Sequence, residues 1–368
     1  MKELLKHLPL GWEEKAKELG AMQRESGVIR SAESLLRLNM LYITNEGSFQ
    51  MAAMGMALTE EIVMSKVAAF KRIAKCGGWL RWIAKELCTA QGATIEKPAF
   101  LGERQVKLVD ASDETTKGKN KNTWRLHYVF NLFEFQCPSM EVTTNKEGER
   151  LTRHEVCEKD VMIADRAYCS ISGMKHVLEN KGDFILRFRL KAFNLYDELG
   201  NPLELLPSLR QLKSLESTDV NCYYKLDGKL HPLRIVAMKK DEKAIAECKR
   251  KMAKKTSKKQ KTVSTETVEL NDYVLLATSL EYTNAQILEL YRARWQIEQV
   301  FYRLKSLFGY GDVPNKRDDT VQAWFFGKLL LAALCESILK RVSFPPELDP
   351  IAVDIVGAQF MERIVPDS

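Results

Sequence analysis

The chain has 368 residues, 45% of them hydrophobic and 29% charged, enough for a sizeable core spread over two or three domains of ordinary size. A formal net charge of +7 permits a polyanionic partner without demanding one. No run of 18 apolar residues could cross a bilayer, and the eight cysteines are scattered with no CxxC pair, so the expectation is an intracellular protein with no membrane span, disulfide framework or zinc site.

In chain order, residues 1–98 are dominated by Leu, Ala, Met, Lys and Glu and read as an all-helical region. Within it, SFQMAAMGMALTEEIVMSKVAAFKRIAK (48–75) predicts a helix-turn-helix. Ser48 and Ser65 are the N-caps, and the second helix offers Lys66, Lys71 and Arg72 to DNA. The same pattern fits many small helical domains that bind nothing.

The texture changes at 99–190. RQVKLVD (104–110) reads as a strand ending at Asp110, followed by a polar loop, and WRLHYVFNLFEF and MEVTT read as two more strands. A short helical piece spans about Leu151 to Glu158. DVMIAD is a fourth strand, ending at Asp165, and a helix from about Ser172 leads to the strand DFILRFRL. That order predicts an α/β domain with a mixed sheet flanked by helices.

Residues 191–270 interrupt it with β-rich pieces, VNCYYKL and LHPLRIVAM. The lysine-rich KRKMAKKTSKKQK (249–261) has two readings, a solvated loop or a strip contacting phosphates. NDYVLLATSL returns to strand, one long helix runs from Asn284 to Phe308, another from about Thr320 to Val342, and a tail occupies 343–368. The domain expectation is therefore 1–98 helical, 99–190 with 271–342 as an α/β core, 191–270 as an insertion, and 343–368 as a tail.

The helix containing YRARWQIEQVFYRLK (291–305) carries an unusual stripe. At about 100° per residue, Tyr291, Arg294, Glu298 and Lys305 fall within roughly a 60° arc on the shoulder of the apolar face. An ordinary i,i+4 pair of Arg294 with Glu298 explains half of this. The other explanation joins Glu298 to two acids at strand ends, Asp110 and Asp165, because strand C-termini line the ligand crevice of open α/β sheets. Three carboxylates converging there suit divalent cations and in-line phosphoryl displacement, with Arg294, Lys305 and Tyr291 placed to hold phosphate oxygens. Asp113 is a rival for the first acid, and His127 either faces the cleft beside Asp110 or alternates to the other side of the sheet.

These residues resemble a known family. The spacing Tyr291-x2-Arg294-x3-Glu298-x6-Lys305 is similar to the YREK signature of bacterial insertion-sequence DDE transposases of the hairpin-forming cut-and-paste group. ADRAYCSISGMKHVLENKGDFILRFRL resembles that family's second-acid block and LVDASD its first. The resemblance covers about residues 30–340 and implies an RNase H-like core with a β-rich insertion. Asp110, Asp165 and Glu298 would be the catalytic, metal-binding triad for two divalent cations, Mg with Mn as substitute. Tyr291, Arg294 and Lys305 would contact DNA phosphates.

It implies a transposase that binds terminal repeats and cleaves and joins DNA. Its partners would be double-stranded transposon ends and target DNA, with a homodimer in the paired complex and a bacterial, cytoplasmic, nucleoid-associated location. Some members stack an aromatic of the insertion on a flipped base. No Trp lies between 166 and 294, which leaves Tyr223 and Tyr224 for that task. The alternatives are a catalytically silent DNA-binding derivative and a tyrosine recombinase using Tyr291 as nucleophile.

Overall fold

The structure, a computed structural model, describes residues 2–22, 28–90, 96–116, 122–190, 192–259, 264–310 and 312–341. They fall into two compact units, one within Met1–Phe193 and Ala277–Glu336, the other within Asn194–Leu276 and Ser337–Ser368. The expected tail, 343–368, lies outside the described residues.

The first unit opens with helices α1 (Lys2–Leu5), α2 (Trp12–Glu18), α3 (Ala32–Thr44), α4 (Phe49–Glu60), α5 (Lys66–Ile73) and α6 (Gly77–Ala90). Ser48 and Ser65 do cap α4 and α5, their side chains accepting from Met51 N–H at 3.2 Å and Ala68 N–H at 3.1 Å. Next come β1 (Gln105–Thr116), β2 (Thr123–Asn131), β3 (Gln136–Thr144), β4 (Asp160–Ala164), α7 (Ile171–Glu179) and β5 (Asp183–Arg187). The expected helix at 151–158 is only a 3-10 turn, Leu151–Arg153, too short to bury a face of its own.

The second unit holds α8 (Leu206–Leu209), the hairpin β6 (Ser217–Leu226) and β7 (Lys229–Lys239), α9 (Glu242–Lys259), α10 (Thr265–Leu270) and the start of β8 (Tyr273–Thr278). The described part of the lysine-rich stretch is therefore helix, not loop. Asp241 starts α9 by accepting from Ala244 N–H at 2.6 Å, and Ala, Glu, Met and Lys are good helix formers. Tyr224 is buried with its ring stacked on His231, so it presents no face to a base, whereas Tyr223 is half-buried.

The chain returns to the first unit with α11 (Asn284–Arg292), α12 (Trp295–Phe308), β9 (Asp312–Val313) and α13 (Asp318–Arg341). The single helix expected over 284–308 is broken at Ala293–Arg294. There Arg294 N–H bonds Tyr291 O at 3.1 Å, Gln296 N–H bonds Ala293 O at 3.0 Å and Ile297 N–H bonds Arg294 O at 3.1 Å, all i→i−3 links that tighten the turn.

The sheet of the first unit has the order β3-β2-β1-β4-β5, antiparallel on the β1–β2–β3 side and parallel through β4 and β5. This is the mixed, helix-flanked sheet expected of an RNase H-like core. All five residues of β4 are buried, as the apolar run of a covered parallel strand requires. No helix among the described residues is long and apolar enough to cross a membrane.

The N-terminal helices of this unit pack against α13. Tyr42 meets Trp324 edge to face at 5.9 Å between ring centroids and accepts from the Asn315 side-chain amide at 2.7 Å. Gly47, at φ +75°, lies where a Cβ would overlap the Pro314 ring. Gly47→Ala is expected to cost about 1–3 kcal/mol through backbone strain and this clash. An unchanged melting temperature would show that the loop yields freely.

Candidate active site

Asp110 does not end its strand as expected; β1 continues to Thr116. The polar segment stays extended because it pairs on both sides, with β2 (Asp113↔Arg125, Thr115↔Thr123) and, at its end, with β9. What ends near Asp110 is the parallel ladder to β4, whose last pair is Val109↔Ala164. Asp110 and Asp165 are each one residue beyond that pair, at the point where two parallel strands part. Two short side chains are thereby set side by side.

Alternation along β1 decides which acids share a face. Asp110, Ser112 and Glu114 lie on one side, the side on which α12 packs; Tyr128, directly across from Asp110, meets Phe301 of α12 at 5.9 Å between ring centroids. Asp113 points the other way. Arg125 grips both its carboxylate oxygens at 2.6 and 2.9 Å, which removes it as a rival for the first acid of this face. His127, opposite Ala111, is also on the far side, buried, with Nε2 2.9 Å from Thr143 Oγ1.

Helix α12 brings Glu298 to the Asp110 side, and Arg294 joins the two. Its Nη1 donates to Asp110 Oδ2 at 3.2 Å and its Nη2 to Glu298 Oε1. Asp110 Oδ1 accepts from Ala111 N–H, and Asp165 Oδ1 from Ala167 N–H, both at 2.8 Å. Burial pushes the Asp110 carboxyl up to about 7; Arg294 and the Ala111 N–H oppose this, while the negative charges of Asp165 and Glu298 add to it. Each of these acids thus lies within electrostatic reach of Asp110, an arrangement that favours cations.

The remaining members of the stripe divide. The Arg294 guanidinium lies 5.9 Å from the Tyr291 ring centroid. Burial raises the Tyr291 phenol, against the lowering effects of Arg187 and Arg294. Lys305 lies lower on α12 and pairs with Glu114 at 2.9 Å, a buried acid that also accepts from Ser112 Oγ at 2.7 Å. The structure therefore brings Asp110, Glu298, Arg294 and Tyr291 together, sets Asp165 beside Asp110, and holds Lys305 one step along β1.

Three neighbours escaped the sequence reading. Glu114 alternates with Asp110 and Ser112, but it lies in the part of β1 beyond Asp110 that the sequence reading left as loop. Tyr168, buried with its hydroxyl lacking a hydrogen-bond partner, is electrostatically coupled to Asp110, Glu149 and Asp165. Glu149 is raised by burial and by Asp165 and Asp113, against Arg125 at 3.5 Å; no local pattern announces it.

In kind, the donor set suits a hard divalent cation, being three carboxylates with backbone N–H support. In spacing, no group of three or more potential ligands is drawn together among the described residues, and the Asp110–Glu298 gap is bridged by a guanidinium. The residues fit a divalent cation in the chemistry of their donors, and Arg294 stands in the space between two of them.

A family model described as "Transposase DDE domain" matches residues 101–334, which include every residue of this face. The chain is 29% identical over 341 residues to the putative transposase InsL for insertion sequence element IS186A of Escherichia coli (strain K12), covering 90% of this chain and 91% of that protein. It is likewise 29% identical over 342 residues to the transposase for insertion sequence element IS421 of Escherichia coli, with the same coverage. With the transposase for element IS231F of Bacillus thuringiensis subsp. israelensis it shares 27% identity over 245 residues, 59% of this chain and 50% of the relative. With a family match across most of its length and a mixed, helix-flanked sheet, the chain belongs to the DDE transposase family of bacterial insertion sequences.

Proposed function

We propose that this protein is a cut-and-paste transposase of the YREK group, which binds the terminal repeats of its element and catalyses DNA strand cleavage and strand transfer. The observation that carries the reading is the placement of Asp110 and Asp165 one residue beyond the last ladder pair, with Glu298 delivered to the same face by α12.

Asp110, Asp165 and Glu298 are the catalytic residues in this reading and would hold two divalent cations, Mg or Mn. When bound, these supply charge stabilisation for an in-line displacement at phosphorus and an activated attacking oxygen. Arg294 and Lys305 hold non-bridging phosphate oxygens, and Tyr291 donates its hydroxyl to the backbone beside them. The burial that raises the Tyr291 phenol disfavours the phenolate a tyrosine recombinase would need.

In the same proposal, residues 1–98 form the DNA-binding domain, with exposed Lys66 and Lys71 on α5 turned to DNA. Residues 191–270 are an insertion into a core of 99–190 and 271–342. The protein works as a homodimer on paired ends in the bacterial cytoplasm, on nucleoid DNA, through a hairpin on the element end.

The test is supercoiled DNA carrying the element's ends, incubated with the protein and magnesium. Nicking followed by linear and hairpin products, abolished by EDTA, is the expected result. Binding without nicking would make the chain a silent DNA-binding derivative. EDTA-resistant cleavage lost in Tyr291→Phe would assign it to the tyrosine recombinases.

A further inference from the structure

Arg294 sits where a cation belongs. Its fork spans two carboxylates on different elements, Nη1 to Asp110 on β1 at 3.2 Å and Nη2 to Glu298 on α12. The side chain is 19% exposed and that of Asp110 17%, so the bridge is partly shielded from competing water. The Arg294 Nε is buried and has no hydrogen-bond partner. Two residues further along the same face of β1 the pattern repeats, Glu114 accepting from Ser112 and pairing with Lys305 at 2.9 Å. Both cations of the stripe are thus engaged by acids of one strand.

A guanidinium in that position has two consequences. It occupies lone pairs that a divalent ion would need, and its charge repels the ion at short range. It is also withheld from phosphate, although a phosphate offers Arg the same bidentate geometry as a carboxylate. One side chain cannot serve both partners.

We propose that Arg294 is an exchange residue: it stands in for a cation between Asp110 and Glu298 in the DNA-free protein, and its transfer to a DNA phosphate frees the acid pair for divalent ions. Metal affinity and DNA affinity are then linked, each raising the other by the same factor. A metal-loaded centre then forms mainly on bound DNA. This rests on the reading of Asp110, Asp165 and Glu298 as metal ligands.

The test is Mn²⁺ binding to the full chain without DNA, followed by electron paramagnetic resonance of the free ion. Arg294→Gln should tighten binding by about tenfold or more. Arg294→Lys, a point charge that cannot fork across both acids, should fall between, and Lys305→Gln should change affinity less than about twofold. Adding Glu298→Gln to Arg294→Gln should remove the gain.

Equal Mn²⁺ affinity in wild type, Arg294→Gln and Arg294→Lys, with Glu298→Gln still weakening binding, would overturn the exchange role and leave the metal ligands standing. Binding indifferent to all three acids would overturn the metal reading itself. Arg294→Gln leaves Asp110 without its ion-pair partner, so melting temperatures report whether each variant folds; if it does not, Arg294→Lys against wild type decides.

Discussion

Glu298→Gln should lower magnesium-dependent strand cleavage by about 10³-fold or more while DNA binding, measured without divalent ions, persists. The substitution keeps volume and hydrogen-bonding capacity but removes the negative charge, and a metal-bound centre is worth several kcal/mol in the transition state, about tenfold for each 1.4 kcal/mol. The stability effect should be small. The Glu298 side chain is 40% exposed, and its pair with Arg294 is an i,i+4 contact across the start of α12, worth well under about 1 kcal/mol. Arg294 also keeps Asp110 as a partner. Assays of nicking and of DNA binding on the same preparation separate the two effects. Cleavage within about tenfold of wild type would remove Glu298 from the catalytic set.

The second large effect lies on the opposite face of the sheet and concerns acid stability. Burial, aided by the positive charge of Arg153, lowers both His127 and His154 from 6.5 to about 4. The rings stand 6.4 Å apart, and both residues are almost inaccessible. Between those values the unfolded chain binds protons that the folded chain does not. Stability therefore rises with pH, is complete above about 6.5, and falls away as pH drops towards 4. Each histidine accounts for up to about 3 kcal/mol of that loss, at about 1.4 kcal/mol per pH unit. Together they match a large part of the roughly 5–15 kcal/mol that holds a domain folded.

Melting temperature should consequently fall as pH drops from about 6 towards 4, less steeply than two histidines alone would give, because the raised Asp110 carboxyl takes up its proton in the folded chain over the same range. His154→Phe should flatten that limb and be neutral or stabilising by about 1 kcal/mol at pH 7, because neither His154 ring nitrogen has a hydrogen-bond partner and the ring lies 6.4 Å from that of Tyr168. An acid limb unaltered in His154→Phe would show that this ring is not one of the titrating groups.

The elements most legible from sequence are those whose signal is local. Ser48 and Ser65 cap helices because a short hydroxyl side chain can reach the N–H three residues on, whatever the chain does elsewhere. The apolar VMIA of β4 reads as a strand for the same reason. The readings that failed depended on partners distant in sequence. β1 outran its apolar segment because β2 and β9 satisfy the backbone of ASDETT, and no local rule reveals that pairing. The helix over 284–308 has no Gly or Pro to mark the turn at Ala293–Arg294, yet Arg294 at that turn reaches across to β1.

By itself the sequence determined the kinds of chemistry present: three acids and a Tyr-Arg-Glu-Lys stripe at spacings that local periodicity can evaluate, with a family resemblance carried by those same residues. Only the tertiary structure decided which acids meet. The register of β1 against β4 places Asp110 beside Asp165, strand alternation turns Asp113 and His127 away, and α12 delivers Glu298 and Arg294 together. The reason is physical. Side-chain type is a property of a residue, but the charge next to a carboxylate, and hence whether it holds an arginine, a metal or a proton, is a property of chain segments far apart in sequence and packed within hydrogen-bond distance.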